Sequence, residues 1–418
     1  MVSPGFRILV FALACAAGLS GCGGGESRAT WTFANGNLAG TRAADGSPIT
    51  AANVGRLRVR WSFPLRAKAG SAGVFASTPV ADANTIYLQN LDRDVFALNR
   101  ATGAVRWSHR YDARNDGPNG LAVSSGRVYG ETDDAMFALA SGNGRELWQR
   151  HLANASEPFV DAAPIVWDGL VFTSTVGHAP LGHGRIYALD ASTRAIRWRF
   201  DAGGIYPGSI DAGGRLYAGT ANPTRSGGAL LVLDAKTGKL LGTDHGTGPI
   251  LATLGETELV FGADNAGRVV AWDGATNKRR WTRLAGTYCP GLGGVETAMA
   301  YAHRRLFVPI VDRCGSGGAT SGFVALDAKT GTTLWERRLP SPALGCATVA
   351  NDVVFTATLA GIAYAFSTKD GKLLWHAAMP AGVDQCPAVV ADLLVIDAGI
   401  RQPGRGDPEI AAFGLPDR

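Results

Sequence analysis

Few side chains in this sequence have the type and spacing that catalysis or metal binding requires. His178 and His183 lie in one loop rich in Gly and Pro, where histidines are more often solvated than bound to a metal. Asp133 and Asp134 stand between two apolar runs, and aspartate at such a break is typical of a turn. The sequence contains no G-x-S-x-G, Walker A, H-E-x-x-H or EF-hand pattern. We therefore predict structural roles for both pairs.

One cysteine near the N-terminus stands in a pattern that implies covalent modification. Arg7 precedes an apolar run that is too short to span a bilayer and suits a signal peptide. The run ends at Leu19-Ser20-Gly21-Cys22, which is similar to a bacterial lipobox. We expect residues 1–21 to be a lipoprotein signal peptide, Cys22 to be lipidated, and residues 22–30 to be a flexible tether. An ordinary secretory signal is the alternative.

The rest of the chain is a repeat of about 40 to 45 residues. Its clearest copy is Val324-Ala325-Leu326-Asp327-Ala328-Lys329-Thr330-Gly331-Thr332-Thr333-Leu334-Trp335, which reads as strand, tight turn and strand. Position 242 holds Gly where the repeat calls for Trp. The other copies end in tryptophans that we expect to dock between repeats, namely Trp61, Trp107, Trp148, Trp198, Trp281, Trp335 and Trp375. This period, with two further strands before each copy, predicts four-stranded antiparallel β-propeller blades.

The ends of the chain set the number of blades. Residues 57–61 form an outer strand with no blade before it, and the last repeat, after Trp375, has only three strand signals. An N-terminal strand that completes the last blade would close the ring and remove two sheet edges. The sequence therefore predicts an all-β fold with eight blades, and one domain that spans residues 31–418.

An exported chain lives where disulfides persist. Four cysteines fall within the repeats, and four allow three connectivities. Cys346 and Cys386 each follow a blade tryptophan by 11 residues, so they occupy equivalent places on neighbouring inner strands. Cys289 and Cys314 flank the first two strands of the sixth blade. We predict the pairs Cys289–Cys314 and Cys346–Cys386 in preference to a metal site, because no C-x-x-C occurs.

Composition excludes some partners. Only 18% of residues are charged and the net charge is +5, with no Lys/Arg run that is interleaved with aromatic residues. These values argue against nucleic-acid binding.

The repeat resembles the tryptophan-docking motif of pyrroloquinoline quinone (PQQ) dehydrogenases and their propeller relatives. The opening of the fold, from Trp31 through Asn37, Arg42 and Asn53 to Trp61, is similar to that of quinoprotein alcohol and polyvinyl-alcohol dehydrogenases. Those enzymes hold PQQ above a Ca²⁺ in the central channel, with a Glu and an Asn as ligands and an Asp as base.

The resemblance points to few site residues. Gly219-Thr220-Ala221-Asn222-Pro223 is similar to the family's Gly-x-Gly-Asn-Pro, which implies that Asn222 is the Asn ligand of Ca²⁺ at the cofactor site. The Glu ligand should fall near Ala179-Pro180, where no carboxylate occurs. The stretch expected to hold the base is shortened to Thr243-Asp244-His245-Gly246, which leaves Asp244 as the candidate base. No haem site or adjacent cysteine pair is present.

Three functions remain open, the third being the binding of a different small ligand in the channel. The first is a non-catalytic binding or scaffold module without a cofactor, anchored to the cell envelope and bound to another envelope protein or peptide. In its lipobox and eight blades the chain resembles the propeller lipoprotein of the outer-membrane barrel assembly machine. The second is an alcohol dehydrogenase that uses PQQ and Ca²⁺. Gly23 lacks the Asp associated with inner-membrane retention, so we expect the outer membrane where the cell has one, and otherwise the outer face of the plasma membrane.

The predicted lipidation depends on one thiol. Cys22→Ser removes the acyl acceptor, so we expect the variant to lose incorporated fatty-acid label and membrane association while the propeller still folds. Metabolic labelling and membrane sedimentation measure this, with Cys15→Ser as the matched control. Label retained by Cys22→Ser would show that the lipobox interpretation is wrong.

Overall fold

The computed structural model describes residues 30–65, 77–111, 113, 120–154, 159–160, 162–176, 184–202, 205–220, 229–289, 293–312, 320–402 and 404–416. Its regular structure is 34 strands and one short 3-10 turn. Among these residues, no helix is long and apolar enough to cross a bilayer.

The strands form eight separate sheets, which are the blades of a β-propeller. The N-terminal elements are β1 (Ala43–Ala44), the turn η1 (Val54–Arg56) and β2 (Arg58–Pro64). Blades 1 to 4 consist of β3 (Val80–Ala81), β4 (Thr85–Gln89), β5 (Val95–Asn99) and β6 (Val105–His109); β7 (Ala122–Ser124), β8 (Arg127–Glu131), β9 (Ala135–Ala140) and β10 (Glu146–His151); β11 (Phe159–Val160), β12 (Ile165–Trp167), β13 (Leu170–Val176), β14 (Gly184–Asp190) and β15 (Ile196–Ala202); and β16 (Ile205–Ile210), β17 (Arg215–Thr220), β18 (Ala229–Asp234) and β19 (Leu240–His245). Blades 5 to 8 consist of β20 (Thr247–Leu254), β21 (Thr257–Ala263), β22 (Arg268–Asp273) and β23 (Arg279–Leu284); β24 (Ala300–Ala302), β25 (Arg305–Asp312), β26 (Thr320–Asp327) and β27 (Thr333–Leu339); β28 (Gly345–Ala350), β29 (Val353–Ala357), β30 (Ile362–Ser367) and β31 (Leu373–Ala378); and β32 (Ala388–Val390), β33 (Leu393–Ala398), β34 (Glu409–Gly414) and, from the N-terminus, β2.

The eight-bladed, all-β architecture predicted from the repeats is confirmed. β2 pairs antiparallel with β34, with Ser62 opposite Ala411. The first long strand of the chain is therefore the outermost strand of the blade that contains its last strands.

Tryptophan joins one blade to the next. In six of the seven predicted docking residues the indole Nε1 donates a hydrogen bond of 2.8–3.1 Å to a backbone carbonyl in the turn of the following blade. The bonds are Trp61 to Arg100, Trp107 to Ser141, Trp148 to Ala191, Trp198 to Ala235, Trp281 to Ala328 and Trp335 to Thr368. The seventh, Trp375, packs edge-on against Phe413 of blade 8 at 5.2 Å. Apolar clusters between adjacent blades form the core.

Five of the six turns that accept an indole N–H have glycine against the ring, and the turn of blade 3 has Arg194 at φ +59° instead. Gly331 has φ +72°, and a Cβ there would lie 2.6 Å from the ring of Trp281. Gly371 meets Trp335 in the same way, at 2.6 Å. Both the backbone conformation and the close approach exclude a larger residue at these positions.

Residues 31–49, which we call the N-terminal segment, follow the inner strands around the channel. Its backbone carbonyls accept N–H groups from the inner strands of blades 1, 2, 4, 5, 6 and 7 in chain order. These bonds join Ala81 to Trp31, Val123 to Thr32, Ile210 to Leu38, Leu251 to Ala39, Tyr301 to Thr41 and Val349 to Arg42. The Ser47 hydroxyl donates to Ala391 of blade 8 at 2.7 Å. The segment therefore ties successive blades together from inside the ring.

Arg42 is the most constrained residue of the N-terminal segment. Its guanidinium is fully buried and donates to the carbonyl oxygens of Ala347 in blade 7 (2.8 Å) and Pro387 in blade 8 (2.7 Å). It also lies 5.5 Å from the centre of the Trp31 ring. Burial lowers the pKa of Arg42 to about 9. Because an unpaired buried charge is very costly, these contacts make the segment part of the fold.

Removal of the N-terminal segment and β2 tests this role. A chain that begins at residue 64 should aggregate or lose cooperative unfolding, because blade 8 loses its outer strand and blades 7 and 8 lose Arg42. A chain that begins at residue 31 is the matched control and should unfold cooperatively. Denaturant titration and sedimentation compare them. Equal solubility and stability in the two chains would contradict the role assigned to β2 and Arg42.

Candidate functional site on the loop face

The two faces of the ring carry different connections. Strands alternate in direction, so the turns between first and second, and third and fourth, strands of each blade share one face, here called the turn face. The remaining connections share the opposite face, here called the loop face. The N-terminal segment follows the ends of the inner strands that lie toward the turn face. The loop face is therefore the open end of the channel.

Several of these residues lie outside the described part of the chain. They are Asn222, His178, His183 and Cys314, together with Cys22 at the N-terminus. Their assignments stay predictions.

Asp244 lies on β19, the outermost strand of blade 4. Its Oδ1 is 3.4 Å from Nη2 of Arg279, on the outermost strand of blade 5. With strands about 4.8 Å apart, three strand spacings separate β19 from the inner strand of its blade by roughly 14 Å. This placement makes Asp244 part of the rim between two blades, away from the channel.

Asp133 and Asp134 lie in the turn between β8 and β9. The Asp133 carbonyl accepts the N–H of Val160, and Asp134 lies 3.1 Å from the exposed His151. Both contacts are those of turn residues.

The disulfide between Cys346 and Cys386 is confirmed, with the two Cα atoms 4.8 Å apart. It joins the inner strand of blade 7 to the residues just before that of blade 8, at the loop face. Arg42 binds the carbonyl of the residue after each of these cysteines, so the disulfide and the guanidinium hold the same two blades. Cys289 is also disulfide-bonded.

A buried glutamate that the sequence analysis missed lies near the open end of the channel. Glu131 ends β8 and is fully buried. Its carboxylate accepts the N–H of Ala162 at 2.8 Å and the hydroxyl of Thr173, both from blade 3. Gln89, which ends β4, donates to the Glu131 carbonyl at 2.8 Å. The position of Glu131 at the end of a strand on the loop face is the sequence signal that could have identified it.

Two further carboxylates occupy one repeat position, before the inner strands of blades 6 and 8. Glu296 accepts the N–H of Gly293 at 2.8 Å and Nδ2 of Asn265 at 3.1 Å. Burial raises the pKa of Glu296, and the Gly293 N–H opposes this rise. Burial raises the pKa of Asp384 to about 7, against the effect of its own backbone N–H. Its Oδ1 is inaccessible to solvent and has no hydrogen-bond partner among the described residues.

The described carboxylates do not make a calcium site. Ca²⁺ takes six to eight oxygen ligands, including carboxylates brought close together. Across the described ranges, no three His, Cys, Asp or Glu side chains come together so that they could hold a metal ion. Glu131 is committed to Ala162 and Thr173, and Glu296 to Gly293 and Asn265. The described residues therefore do not fit the Ca²⁺ that the family resemblance implies, and we derive no chemistry through it.

The ring of eight blades, the tryptophans that dock between blades and the open loop face place this protein in the PQQ-like class of β-propellers. The family model described as outer membrane protein assembly factor BamB matches residues 138–283, 182–310 and 266–400. A second model, the β-propeller domain of glucose, ethanol and alcohol dehydrogenases, matches residues 31–136. The chain belongs to the PQQ-like β-propeller family.

Relatives of both kinds resemble the chain. It is 25% identical over 440 aligned residues to a polyvinylalcohol dehydrogenase of Pseudomonas sp, covering 83% of this chain and 67% of that protein. The quinohemoprotein alcohol dehydrogenase of Comamonas testosteroni superposes with a TM-score of 0.79 at 19% identity, covering 94% of this chain and 82% of the other. BamB from Moraxella catarrhalis gives 0.61 at 15% identity, covering 87% and 98%. These two likenesses show the fold alone.

The raised pKa of Asp384 has a measurable effect on stability. Its folded pKa of about 7 exceeds the ordinary 3.8, so the folded state favours the neutral acid. The stability of the protein should therefore fall as pH rises from about 4 to 7 and then level off. Asp384→Asn removes this loss and should stabilise the protein at pH 8 by about 2–4 kcal/mol, since each pKa unit corresponds to ~1.36 kcal/mol.

Urea unfolding of both proteins at pH 4 and pH 8 measures the difference. Glu256→Gln, at an exposed turn residue, is the matched control and should behave like the parent. An Asp384→Asn variant with the same change in stability between pH 4 and pH 8 as the parent would contradict the assignment.

Proposed function

We propose that the protein is a non-catalytic binding module of the cell envelope that holds another envelope protein or peptide through its propeller. Both kinds of relative share the fold, so the fold does not decide function. The proposal rests on the outer rim, with the carboxylates of the loop face as support.

The outer strands expose apolar side chains. Of the nine large hydrophobic residues exposed in the described chain, eight lie on outermost strands. They are Val59, Val105, Ile196, Leu240, Leu241, Leu284, Leu334 and Leu373. Each outermost strand also has one edge that no strand of its own sheet covers. Exposed edges with apolar side chains suit the addition of a partner strand, and this observation carries the proposal.

Charge limits which strands can pair. The eight outermost strands contain eleven Arg, no Lys and four Asp or Glu, and all eleven Arg are exposed. Charged side chains on an edge oppose unwanted pairing between copies of the same protein. The rim therefore combines apolar contact area with protection against aggregation, as a surface for selected partners requires.

The predicted anchor would bring this rim to a membrane surface. The fold begins at Trp31, after a tether that follows the lipobox Cys22. Nine residues from 22 to 30 can extend at most about 30 Å, so a lipidated protein would lie close to the bilayer. We include lipidation and an extracytoplasmic location in the proposal on these grounds.

The second candidate is a PQQ- and Ca²⁺-dependent alcohol dehydrogenase. The match of residues 31–136 to the alcohol dehydrogenase model and the similarity to a polyvinylalcohol dehydrogenase favour it. PQQ with Ca²⁺ would supply alcohol oxidation, and the resemblance assigns Asn222 a contact to the ion. A neutral amide alone does not satisfy Ca²⁺, and Asp244 lies on the rim with Arg279. The scaffold function is therefore better supported.

Reconstitution with PQQ and Ca²⁺ separates the two functions. We expect no tight binding of PQQ by absorbance titration and no Ca²⁺-dependent dye reduction with alcohols, because the described carboxylates do not converge. A PQQ dehydrogenase prepared in parallel is the positive control. Micromolar or tighter binding that disappears in Asn222→Ala, with turnover abolished by Asp244→Ala, would overturn the binding-module proposal.

A further inference from the structure

A cleft on the turn face separates blade 2 from blade 3. It has a volume of about 380 Å³ and opens to solvent, and ligand sites are typically about 300–1,000 Å³. The β7–β8 hairpin of blade 2 forms one side, and the β12–β13 and β14–β15 turns of blade 3 form the other. Three buried residues, Tyr129, Val166 and Ala191, form the floor. The partly or fully exposed side chains of the walls are Ser124, Ser125, Arg127, Trp167, Asp168 and Ser192.

Arg127, the first residue of β8, is the cation of this cleft. Its Nη1 donates to the Ala191 carbonyl of blade 3 at 3.0 Å. Its Nε and Nη2 have no hydrogen-bond or ion-pair partner among the described residues. The planar guanidinium matches the two oxygens of a carboxylate, which it can bind with two parallel hydrogen bonds. Arg127 therefore has donors left for an anion in the cleft.

The equivalent arginine of blade 4 identifies the group that is missing. Arg215 begins β17, and its Nη1 donates to the Gly274 carbonyl of blade 5, just as Arg127 donates across its own interface. Two carboxylates of the protein hold the rest of the Arg215 guanidinium. Asp211 binds Nε, and Glu258 lies 3.3 Å from Nη2.

In blade 2 no acid stands at either of these places. Ser124 pairs with Arg127 at the end of the inner strand, where the N–H of Asp211 bonds to Arg215 in blade 4. Val171 is the second residue of β13, as Glu258 is of β21. The interface between blades 2 and 3 thus repeats the arginine and its carbonyl without the two carboxylates. A carboxylate from outside the chain would complete it.

The two acids on the cleft wall are already paired with cations. Asp168 lies 2.9 Å from Nζ of Lys236, and Asp190 lies 2.8 Å from Nη2 of Arg197. Arg127 is therefore the one unbalanced charge among the lining residues. Because two carboxylates border the cleft, a dianion such as phosphate would be repelled more strongly than a single carboxylate.

Trp167 gives the cleft an apolar wall. Its ring packs against Gly214 of blade 4, where a Cβ would lie 2.6 Å from Cη2. The ammonium of Lys236 lies 5.6 Å from the centre of the ring. These contacts hold the indole in place beside the cleft. An apolar wall next to a cation suits a glutamate, which has two methylene groups before its carboxylate.

We propose that this cleft receives a glutamate side chain of an acidic partner protein, with its carboxylate paired to Arg127. The outer strands carry eleven Arg against four Asp or Glu, so the rim attracts a partner of the same charge. Arginine is also enriched among the residues that dominate binding at protein interfaces. The inference deepens the proposed binding function and rests on it.

A minimal ligand tests the cleft. N-acetyl-glutamate amide carries the side-chain carboxylate alone, N-acetyl-glutamine amide is its neutral control, and saturation-transfer NMR measures the binding of each. We expect a dissociation constant of about 1 mM for the glutamate ligand and about tenfold weaker binding of the glutamine ligand, because one charged hydrogen-bonded pair accounts for the difference. N-acetyl-alanine, which presents a chain-terminal carboxylate, and inorganic phosphate should both bind more weakly than the glutamate ligand.

Two pairs of variants locate the site. Arg127→Gln should weaken the glutamate ligand about tenfold, whereas Arg145→Gln, at an exposed residue in the other turn of blade 2, makes the same charge change and should bind like the parent. Ser124→Asp supplies the carboxylate that Asp211 gives to Arg215, so it should also lose the ligand. Ser124→Asn, of the same size without the charge, should retain it. If Arg127→Gln fails to fold, the two Ser124 variants still decide the question.

The inference is overturned by no saturable binding, equal affinity for the glutamine ligand, equal loss in Arg145→Gln or retained binding in Ser124→Asp. Tighter binding of N-acetyl-alanine or of phosphate would also overturn it, and would assign the cleft to a chain terminus or to a phosphate. Failure of the glutamate ligand without PQQ activity leaves the rim strands as the partner site. PQQ-dependent oxidation removes the binding-module function itself, so the two failures are distinguishable.

Discussion

The contact between an indole and the turn glycine of the next blade is the interaction on which this ring depends. Each sheet alone has two solvent-exposed faces and cannot bury enough apolar surface to be stable. The tryptophan buries one face against the next blade and bonds its turn carbonyl, as Trp281 does at Ala328 over Gly331. This contact fixes both the spacing and the angle between neighbours. β2 pairs with β34, so the blade that holds the chain's last strands also contributes Trp61 to the series.

The parts of the fold that could be predicted are those set by short-range patterns. Alternating apolar residues and the turn before each tryptophan predict the strands, and the repeat register alone places Cys346 beside Cys386. The course of the N-terminal segment could not be predicted in this way, because its bonds join residues that lie from 50 to more than 300 positions apart in the sequence. Arg42 bonds to residues 305 and 345 positions away. No sequence periodicity predicts such contacts. From the sequence, a single Arg among Thr, Ala and Gly residues is expected to be exposed to solvent.

In the candidate site, too, local patterns predict the positions of some residues and long-range contacts decide those of others. Repeats predict that Asp133 and Asp134 are turn residues, and they lie between β8 and β9. Glu131, two positions earlier, was missed because its burial depends on groups of blade 3 that are distant in sequence. Asp244 was assigned from a family pattern across a shortened stretch, and the structure puts it on an outermost strand. Loops between strands vary while the strands stay constant, so a motif carried across them loses its position before the fold changes.

The structure of the outer rim, like that of the core, depends on whether a docking tryptophan is present at each interface between blades. Where an indole is present, its ring fills the space between blades, and arginines beside it deter further pairing. Where Gly242 and Asn277 replace the pair, the aromatic ring of Tyr217 and the Gly274 carbonyl are still in place, because the rest of the blade keeps its register. Tyr217 and Trp272 are both buried at this interface, so neighbouring side chains fill the place of the missing indole. The outer strand of blade 4, β19, is also one of the two outermost strands without arginine, so this blade departs from most others both in its packing and at its edge.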